Sequence, residues 1–177
     1  MITLSIDPGI RGCGCALWDS GKLVAAAYVK NSDEVCAVPR QCANMADKIA
    51  VWTLGIVHPA MQLVLEWPQT YGGRSSRGDA NDLFPLAGID GALAAIFPAA
   101  NITHYVPHAW KGSLEKPSKT SEPYSVESRV RDRLSTEEAA NVKWPTNVKL
   151  SWDVTDAIGV GLKFHGRFER KRVFHRE

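Results

Sequence analysis

A short apolar run constrains the fold of this chain more than any other stretch of its sequence. Residues 62–67, QLVLEW, hold three large aliphatic residues in succession, without the apolar–polar alternation of a half-buried strand. A continuous run of this kind is typical of a strand that is covered on both faces. The three aliphatic residues are followed at once by Glu66, whose carboxylate is costly to desolvate at the end of such a strand. The sequence therefore predicts a covered strand whose terminal glutamate has a partner that offsets this cost.

The elements on either side of this strand predict an α/β fold. Strands are predicted at residues 2–7 (ITLSID), 13–19, 23–30, 62–67 and 102–106, and helices at residues 38–56, 80–97 and 152–165. Hairpin-forming strands come first, and helices then alternate with strands. We therefore expect a mixed sheet of five strands with helices on both faces.

The segment from Pro107 to Asn147 differs in composition from the rest of the chain. It contains many Pro, Ser, Lys and Glu residues and few large apolar ones, apart from a narrow helical stripe of Val126, Val130 and Leu134. This composition predicts a flexible insertion on one face of the domain.

Length and composition are those of one globular domain, residues 1–177, with 45% hydrophobic and 23% charged residues. Its cysteines, Cys13, Cys15, Cys36 and Cys42, have neither the spacing of a metal site nor that of a secreted disulfide framework. We expect reduced thiols. No signal peptide is recognised, and no apolar run approaches the roughly 20 residues of a membrane span. We therefore expect a cytoplasmic protein without membrane contact.

The net charge of +2 is unevenly distributed along the chain. Residues 161–177 carry six Lys or Arg residues against two Glu residues, so the first 160 residues are slightly acidic. A basic tail, about 163–177, on a near-neutral body suggests contact with a polyanion. A solvated tail without a partner would have the same composition.

Four carboxylates lie at the ends of predicted elements. Asp7 and Glu66 each close a strand, and the ends of parallel neighbouring strands lie about 5 Å apart. Asp153 and Asp156 are one turn apart near the start of the last predicted helix, on one face of it. Four converging carboxylates would repel one another unless a hard cation such as Mg²⁺ lay between them. The sequence therefore predicts a metal site formed by these four residues.

Each carboxylate also has a local explanation. Asp7 precedes a Pro-Gly pair and can start a turn. Glu66 can pair with Arg74 or Arg77, and the two aspartates of the last helix can cap it and complement its dipole. The order of the four residues, each at an element end, favours the shared site.

Three motifs around these acids, IDPGIRGCGCALW, LVLEWPQTYGGR and WDVTDAIGVG, resemble those of RuvC-type Holliday junction resolvases, including phage-borne members. The resemblance runs from residue 1 to about 165. It implies a ribonuclease H-like fold and a crossover junction endodeoxyribonuclease that leaves 5′-phosphates. It also implies that Asp7, Glu66, Asp153 and Asp156 are the catalytic, metal-binding carboxylates.

The reaction implied by this resemblance calls for metal ions but no nucleotide cofactor. Two Mg²⁺ ions about 3.5–4 Å apart can stabilise both the attacking and the leaving oxygen of a phosphodiester. We expect two such ions, replaceable by Mn²⁺, with Asp7 shared between them.

The loop after Glu66 supplies candidate contacts to branched DNA. Arg74 and Arg77 lie among glycines and suit contacts to phosphates. Tyr71 or Trp67 is a candidate for stacking on an unpaired base, although Trp67 is expected to pack in the core. Gly159 and Gly161 of the last helix would allow close approach of DNA or of another chain.

Three lysines lie where resolvases of this family carry functional lysines. Lys111 follows HAW, and Lys116 and Lys119 follow shortly after it. We expect Lys111 and one of the other two to contact phosphate or stabilise charge in the transition state. Ordinary surface lysines would have the same pattern.

The substrate also predicts the assembly. A four-way junction has two equivalent scissile strands, so symmetric cleavage implies a homodimer, as does the resemblance. The predicted helix at 80–97 has enough apolar surface for both a core and a partner.

Other functions are compatible with parts of this pattern. A ribonuclease H, or a general flap or branch nuclease, would use the same carboxylates. An actin-like ATPase also opens with a strand, an aspartate and a glycine turn, but it would carry a second glycine-rich phosphate loop. A non-catalytic DNA-binding module would have no need of all four acids.

Overall fold

A computed structural model of the chain describes residues 1–32, 36–53, 61–67, 80–98, 100–112, 119 and 124–168. Within them one sheet contains the strands β1 Ile2–Asp7, β2 Gly12–Asp19, β3 Lys22–Lys30, β4 Gln62–Glu66, β5 Asn101–Tyr105 and β6 Val142–Lys143. The strand order is β5-β4-β1-β2-β3-β6. β2 is antiparallel to β1 and β3, while β4, β5 and β6 run parallel to their neighbours.

The mixed sheet is confirmed, but the prediction of five strands was wrong. The sixth strand, β6, is only two residues long and pairs with Ala26 and Ala27 of β3. A two-residue strand is too short to produce an apolar periodicity in the sequence.

Helices cover both faces of the sheet, as predicted. They are α1 Val38–Thr53, α2 Ala80–Ile96, α3 Pro107–Lys111, α4 Ser125–Arg131, α5 Thr136–Ala140 and α6 Val148–Phe164. Leu4 and Ile6 of β1 pack in a core with α1 and α2. Ser5, between them, faces the opposite way and donates a hydrogen bond to the carbonyl of Ala157 on α6. Alternation along β1 therefore assigns its polar face, which includes Asp7, to the α6 side.

Residues 107–147 were expected to form a flexible insertion, but the part of this segment that the structure describes is helical and packed against the domain. α3, α4 and α5 lie here, and Trp110, Val126 and Val130 are buried in the same core as α6. Few apolar residues are present, but they share one stripe that faces α6. A low average content of apolar residues therefore concealed a packed segment.

The last helix begins four residues earlier than predicted. Asn147 caps α6, its side chain accepting a hydrogen bond from the backbone N–H of Lys149. Asp153 and Asp156 therefore lie inside α6 and neither caps it.

Tryptophan rings of the same domain pack against the glycines of α6, in the space that was expected to admit DNA or another chain. A Cβ atom on Gly159 would overlap the ring of Trp110, and one on Gly161 would overlap that of Trp18. The weak helix propensity of these glycines is therefore offset by close packing inside the domain.

An ion pair holds the chain after α6 against the body of the domain. Arg167 donates to both carboxylate oxygens of Glu138, at 2.6 and 2.8 Å. These hydrogen bonds lower the pKa of Glu138 to about 2, against the opposing effect of burial. The next residue, Phe168, is buried edge-on to Trp110. The beginning of the predicted basic tail is thus part of the folded body, and residues 169–177 lie outside the described part of the chain.

Two further expectations concern thiols and membranes. All four cysteines are free thiols, as expected. Among the described residues, no helix combines the length and the apolar character needed to cross a membrane.

A buried carboxylate without hydrogen bonds lies on α2. Asp90 is 6% exposed, and neither of its side-chain oxygens has a hydrogen-bond partner among the described residues. Nε2 of His104 on β5 lies 3.4 Å from Oδ2 of Asp90. Burial raises the pKa of Asp90 to about 7 and lowers the pKa of His104. Burial thus disfavours the charged form of both groups, and this outweighs their mutual attraction.

Replacing Asp90 with Asn tests this assignment. The stability that a carboxyl group with a raised pKa contributes is full below its unfolded pKa of 3.8, and it is lost as the pH rises through the folded value of about 7. The shift corresponds to roughly 4 kcal/mol. Because Asn does not ionise, Asp90→Asn should gain stability relative to wild type as the pH rises from about 4 to about 8, by up to about 4 kcal/mol. Urea unfolding at several pH values measures this difference.

The matched control is Asp47→Asn, an exposed aspartate on α1. Its stability relative to wild type should vary little with pH. A difference between Asp90→Asn and wild type that is the same at every pH would contradict the raised pKa.

Candidate active site

Two carboxylates meet where β1 and β4 end. The strands are parallel, with Ile6 opposite Leu65, so the next residues, Asp7 and Glu66, leave the sheet side by side. Glu66 follows Val64 by two residues and therefore lies on the same face, the one covered by α6. The predicted pairing of these two strand ends is confirmed.

α6 brings a third carboxylate to the same place. Ser5 Oγ donates to the carbonyl of Ala157 at 2.8 Å and accepts from Trp18 Nε1, also at 2.8 Å. These buried bonds fix α6 on β1 at the residue next to Asp156. One ligand oxygen from each of Asp7, Glu66 and Asp156 lies within 4.8 Å of the other two.

The fourth predicted carboxylate is not part of this cluster. Asp153 lies one turn before Asp156 on α6, where its backbone carbonyl faces Gly14 of β2 so closely that a Cβ atom there would overlap it. Asp153 and Asp7 both raise the pKa of the buried Cys13 thiol, although less than burial does. Gly14 lies opposite Asp7 in the pairing of β1 with β2, so the backbone of Asp153 is near Asp7. The role of Asp153 as a ligand stays a prediction.

The predicted functional lysine lies between two of the carboxylates. Lys111 Nζ is 3.3 Å from Oε1 of Glu66 and 3.2 Å from Oδ2 of Asp156. Its side chain is only 11% exposed. α3, which begins at Pro107 and ends at Lys111, points the ammonium group into the acidic cluster. Lys111 therefore belongs to this site rather than to the open surface.

Two neutral donors also contact the carboxylates, and the sequence did not predict either. Trp110 Nε1 donates to Oε2 of Glu66 at 2.7 Å, and the Tyr124 hydroxyl donates to Oδ1 of Asp156 at 2.6 Å. Both aromatic residues are buried. The only sequence signal for Trp110 was its position next to Lys111, and Tyr124 had none.

This arrangement is compatible with a divalent metal ion. The triad offers carboxylate oxygens, the ligands that hard cations prefer, close enough together to share one ion. Three carboxylates this close together repel one another, so the cluster favours a positive charge between them. The buried position of Asp156 strengthens this preference, because water screens its charge poorly.

The predicted DNA-contacting residues fall mostly outside the described part of the chain. Tyr71, Arg74, Arg77 and Lys116 are all outside it, and Lys119 is described and exposed.

Trp67 does not pack in the core, contrary to expectation. It is 40% exposed and meets the His104 ring edge-on, with centroids 4.7 Å apart. Trp67 follows the last residue of β4, and there the chain leaves the covered part of the sheet.

Comparisons with known proteins identify relatives by structure only. No protein-family model matches the sequence, and no curated protein matches it. Thermus thermophilus RuvC in complex with a Holliday junction substrate superposes with a TM-score of 0.59 and 21% identity, covering 94% of this chain and 95% of that chain. Another structure of Thermus thermophilus RuvC gives 0.58 and 19% identity over 94% of this chain and 96% of that chain.

A eukaryotic resolvase shares the architecture. The yeast mitochondrial Holliday junction resolvase superposes with a TM-score of 0.53 and 13% identity, covering 94% of this chain and 79% of that chain. The likeness to each of the three structures covers 94% of this chain. This protein therefore has the fold of the RuvC-type resolvases.

Proposed function

We propose that this protein is a metal-dependent, structure-selective endodeoxyribonuclease that cleaves Holliday junctions and related branched DNA. The observation that carries the proposal is the convergence of Asp7, Glu66 and Asp156, with Lys111 between two of them. These carboxylates lie at the carboxyl ends of two parallel strands, where α/β folds bind their ligands.

The comparisons support the choice of substrate. The solved structures that share this fold include a RuvC in complex with its Holliday junction substrate and a mitochondrial Holliday junction resolvase. The three sequence motifs that resemble those of the same proteins surround Asp7, Glu66 and the pair Asp153 and Asp156. Fold and site thus lead independently to one class of enzyme.

We propose that the carboxylates bind a pair of Mg²⁺ ions, for which Mn²⁺ would substitute. Asp7, Glu66 and Asp156 would hold them, with Asp153 joining from the preceding turn of α6. Bound ions would supply an activated water and neutralise the leaving oxygen of a phosphodiester. The chain's own contribution is to hold the oxygen ligands on two strand ends and one helix, which are rigid elements.

Lys111 has a separate role in this proposal. Its ammonium group offsets part of the carboxylates' mutual repulsion and adds a positive charge beside the point where a phosphate would enter. Lys116 and Lys119 follow within eight residues and are candidates for contacts to neighbouring phosphates.

Junction binding would use the loop after Glu66 and a second copy of the chain. Arg74 and Arg77 would contact phosphates, and Tyr71 would stack on a base at the crossover. Two active sites are needed for symmetric cleavage, so we propose a homodimer. Phe84 of α2 is 70% exposed and is a candidate contact in such an assembly.

Cleavage of defined substrates tests the function directly. With Mg²⁺, the purified protein should nick a synthetic four-way junction at least tenfold faster than a linear duplex or an RNA–DNA hybrid. Asp7→Asn should abolish cleavage while leaving junction affinity within a few-fold of wild type, since the change removes a ligand charge and not a DNA contact. Gel assays of cleavage and of binding provide both readouts.

Asp132→Asn, an exposed aspartate at the end of α4, is the control and should cut as wild type does. Normal cleavage by Asp7→Asn would show that the metal site has been assigned wrongly. Equal or faster cleavage of the hybrid would favour a ribonuclease H.

The salt dependence of junction binding tests the loop. Replacing both Arg74 and Arg77 with Ala should weaken binding and make the slope of log K against log salt less steep by about 1–2, because fewer counterions are released. The charge-matched control replaces Arg40 and Lys48, both exposed on α1, with Ala. A slope as steep as that of wild type would mean that the loop does not contact phosphates.

A further inference from the structure

We propose that Trp110 and Tyr124 are positioning residues, each of which fixes the orientation of one carboxylate for cation binding. The proposal deepens the proposed function and rests on it for the reaction concerned. Trp110 Nε1 lies 2.7 Å from Oε2 of Glu66, and the Tyr124 hydroxyl lies 2.6 Å from Oδ1 of Asp156. Both distances are at the short end for hydrogen bonds, as expected when the acceptor is charged.

Each donor holds one oxygen of one carboxylate: Oε2 of Glu66 accepts from Trp110 and Oδ1 of Asp156 accepts from Tyr124. The other two, Oε1 of Glu66 and Oδ2 of Asp156, lie 3.3 and 3.2 Å from Lys111 Nζ, which is also 3.5 Å from Oε2 of Glu66. The remaining oxygens therefore converge on one point, which a positive charge already occupies. A carboxylate held at one oxygen cannot rotate about its terminal bond without losing that hydrogen bond.

The donors are held in place by the core and not by the carboxylates that they contact. The Trp110 ring lies against Gly159, one turn beyond Asp156 on α6, and edge-on to Phe168. The Tyr124 ring lies against Trp152 of the same helix, with centroids 5.7 Å apart. Each ring is thus fixed by packing, and its polar atom donates to a carboxylate of the site.

The chemistry of the donors suits this task. An indole N–H and a phenol O–H are neutral, so they orient a carboxylate without cancelling its charge. Lys111 could not serve alone in this way, because it contributes a full positive charge that competes with a metal ion. Loss of a hydrogen-bonding partner behind a metal ligand typically weakens metal binding 10- to 100-fold.

Phenylalanine removes the donor at either position; it keeps the ring of residue 124 and replaces the indole of residue 110 with a smaller ring. Isothermal titration of the full chain with Mn²⁺ should give a dissociation constant 10- to 100-fold higher for Trp110→Phe and for Tyr124→Phe than for wild type. In cleavage assays both variants should require correspondingly more metal for half-maximal rate, with junction affinity unchanged. Saturating metal should restore most of the maximal rate.

Trp52→Phe is the matched control, because it makes the same change to a partly buried indole on α1, in the core on the face of the sheet opposite the acidic cluster. We expect its Mn²⁺ affinity to stay close to that of wild type. If both Phe variants bind Mn²⁺ as tightly as wild type does, the positioning role is overturned. Should Trp110→Phe fail to fold, Tyr124→Phe decides the question alone.

The outcomes separate this proposal from the proposed function. Wild type that binds Mn²⁺ but does not cut junctions overturns the function, and weaker binding by the two variants would still support the positioning role. Wild type that cuts junctions, with variants of unchanged metal affinity, overturns only the positioning role. Wild type that takes up no Mn²⁺ overturns both.

Discussion

The parallel pairing of β1 with β4 is the contact on which the rest of the site depends. With Ile6 opposite Leu65, Asp7 and Glu66 leave the sheet side by side and on the face that α6 covers. A slip of one residue would turn Glu66 towards the core beneath α1 and α2, because side chains alternate along a strand. Such a slip would leave the Glu66 carboxylate buried without Trp110 and Lys111, its partners in the native register. The contacts that favour this register of β4 are therefore also contacts of the acidic site.

The site places charge where the fold would otherwise avoid it. Glu66 and Asp156 are both buried, and a buried charge without a partner costs several kcal/mol. Lys111, Trp110 and Tyr124 offset that cost, and the two aromatic rings are held by packing outside the acidic cluster. Ser5 fixes the register of α6 on β1, one residue away from Asp156. The contacts that offset the cost of burying these charges are therefore the same contacts that hold the carboxylates in place.

Sequence reasoning reached the parts of this structure that depend on strong local patterns. The aliphatic run before Glu66 and the alternation before Asp7 predicted two strands that each end on a carboxylate, and the site follows from their pairing. β6 was missed because a two-residue strand has no period. The start of α6 was missed because Asn147 caps it before its apolar stripe begins.

Contacts between distant segments could not be predicted in this way. Trp110 and Tyr124 lie in a segment that resembles a loop by composition, and their hydrogen bonds span 44 and 32 residues of sequence. The two α6 glycines indicated an open surface, but two tryptophan rings occupy the space beside them. Such contacts depend on tertiary packing that no local periodicity records.

Locating bound metal tests the central claim most directly. A crystal of the wild-type protein soaked in Mn²⁺, with anomalous data collected near the manganese edge, gives the position of each ion. The account predicts an anomalous peak at coordination distance, roughly 2 Å, from oxygens of Asp7, Glu66 and Asp156. Peaks only elsewhere on the protein, or three carboxylates turned away from one another, would contradict it.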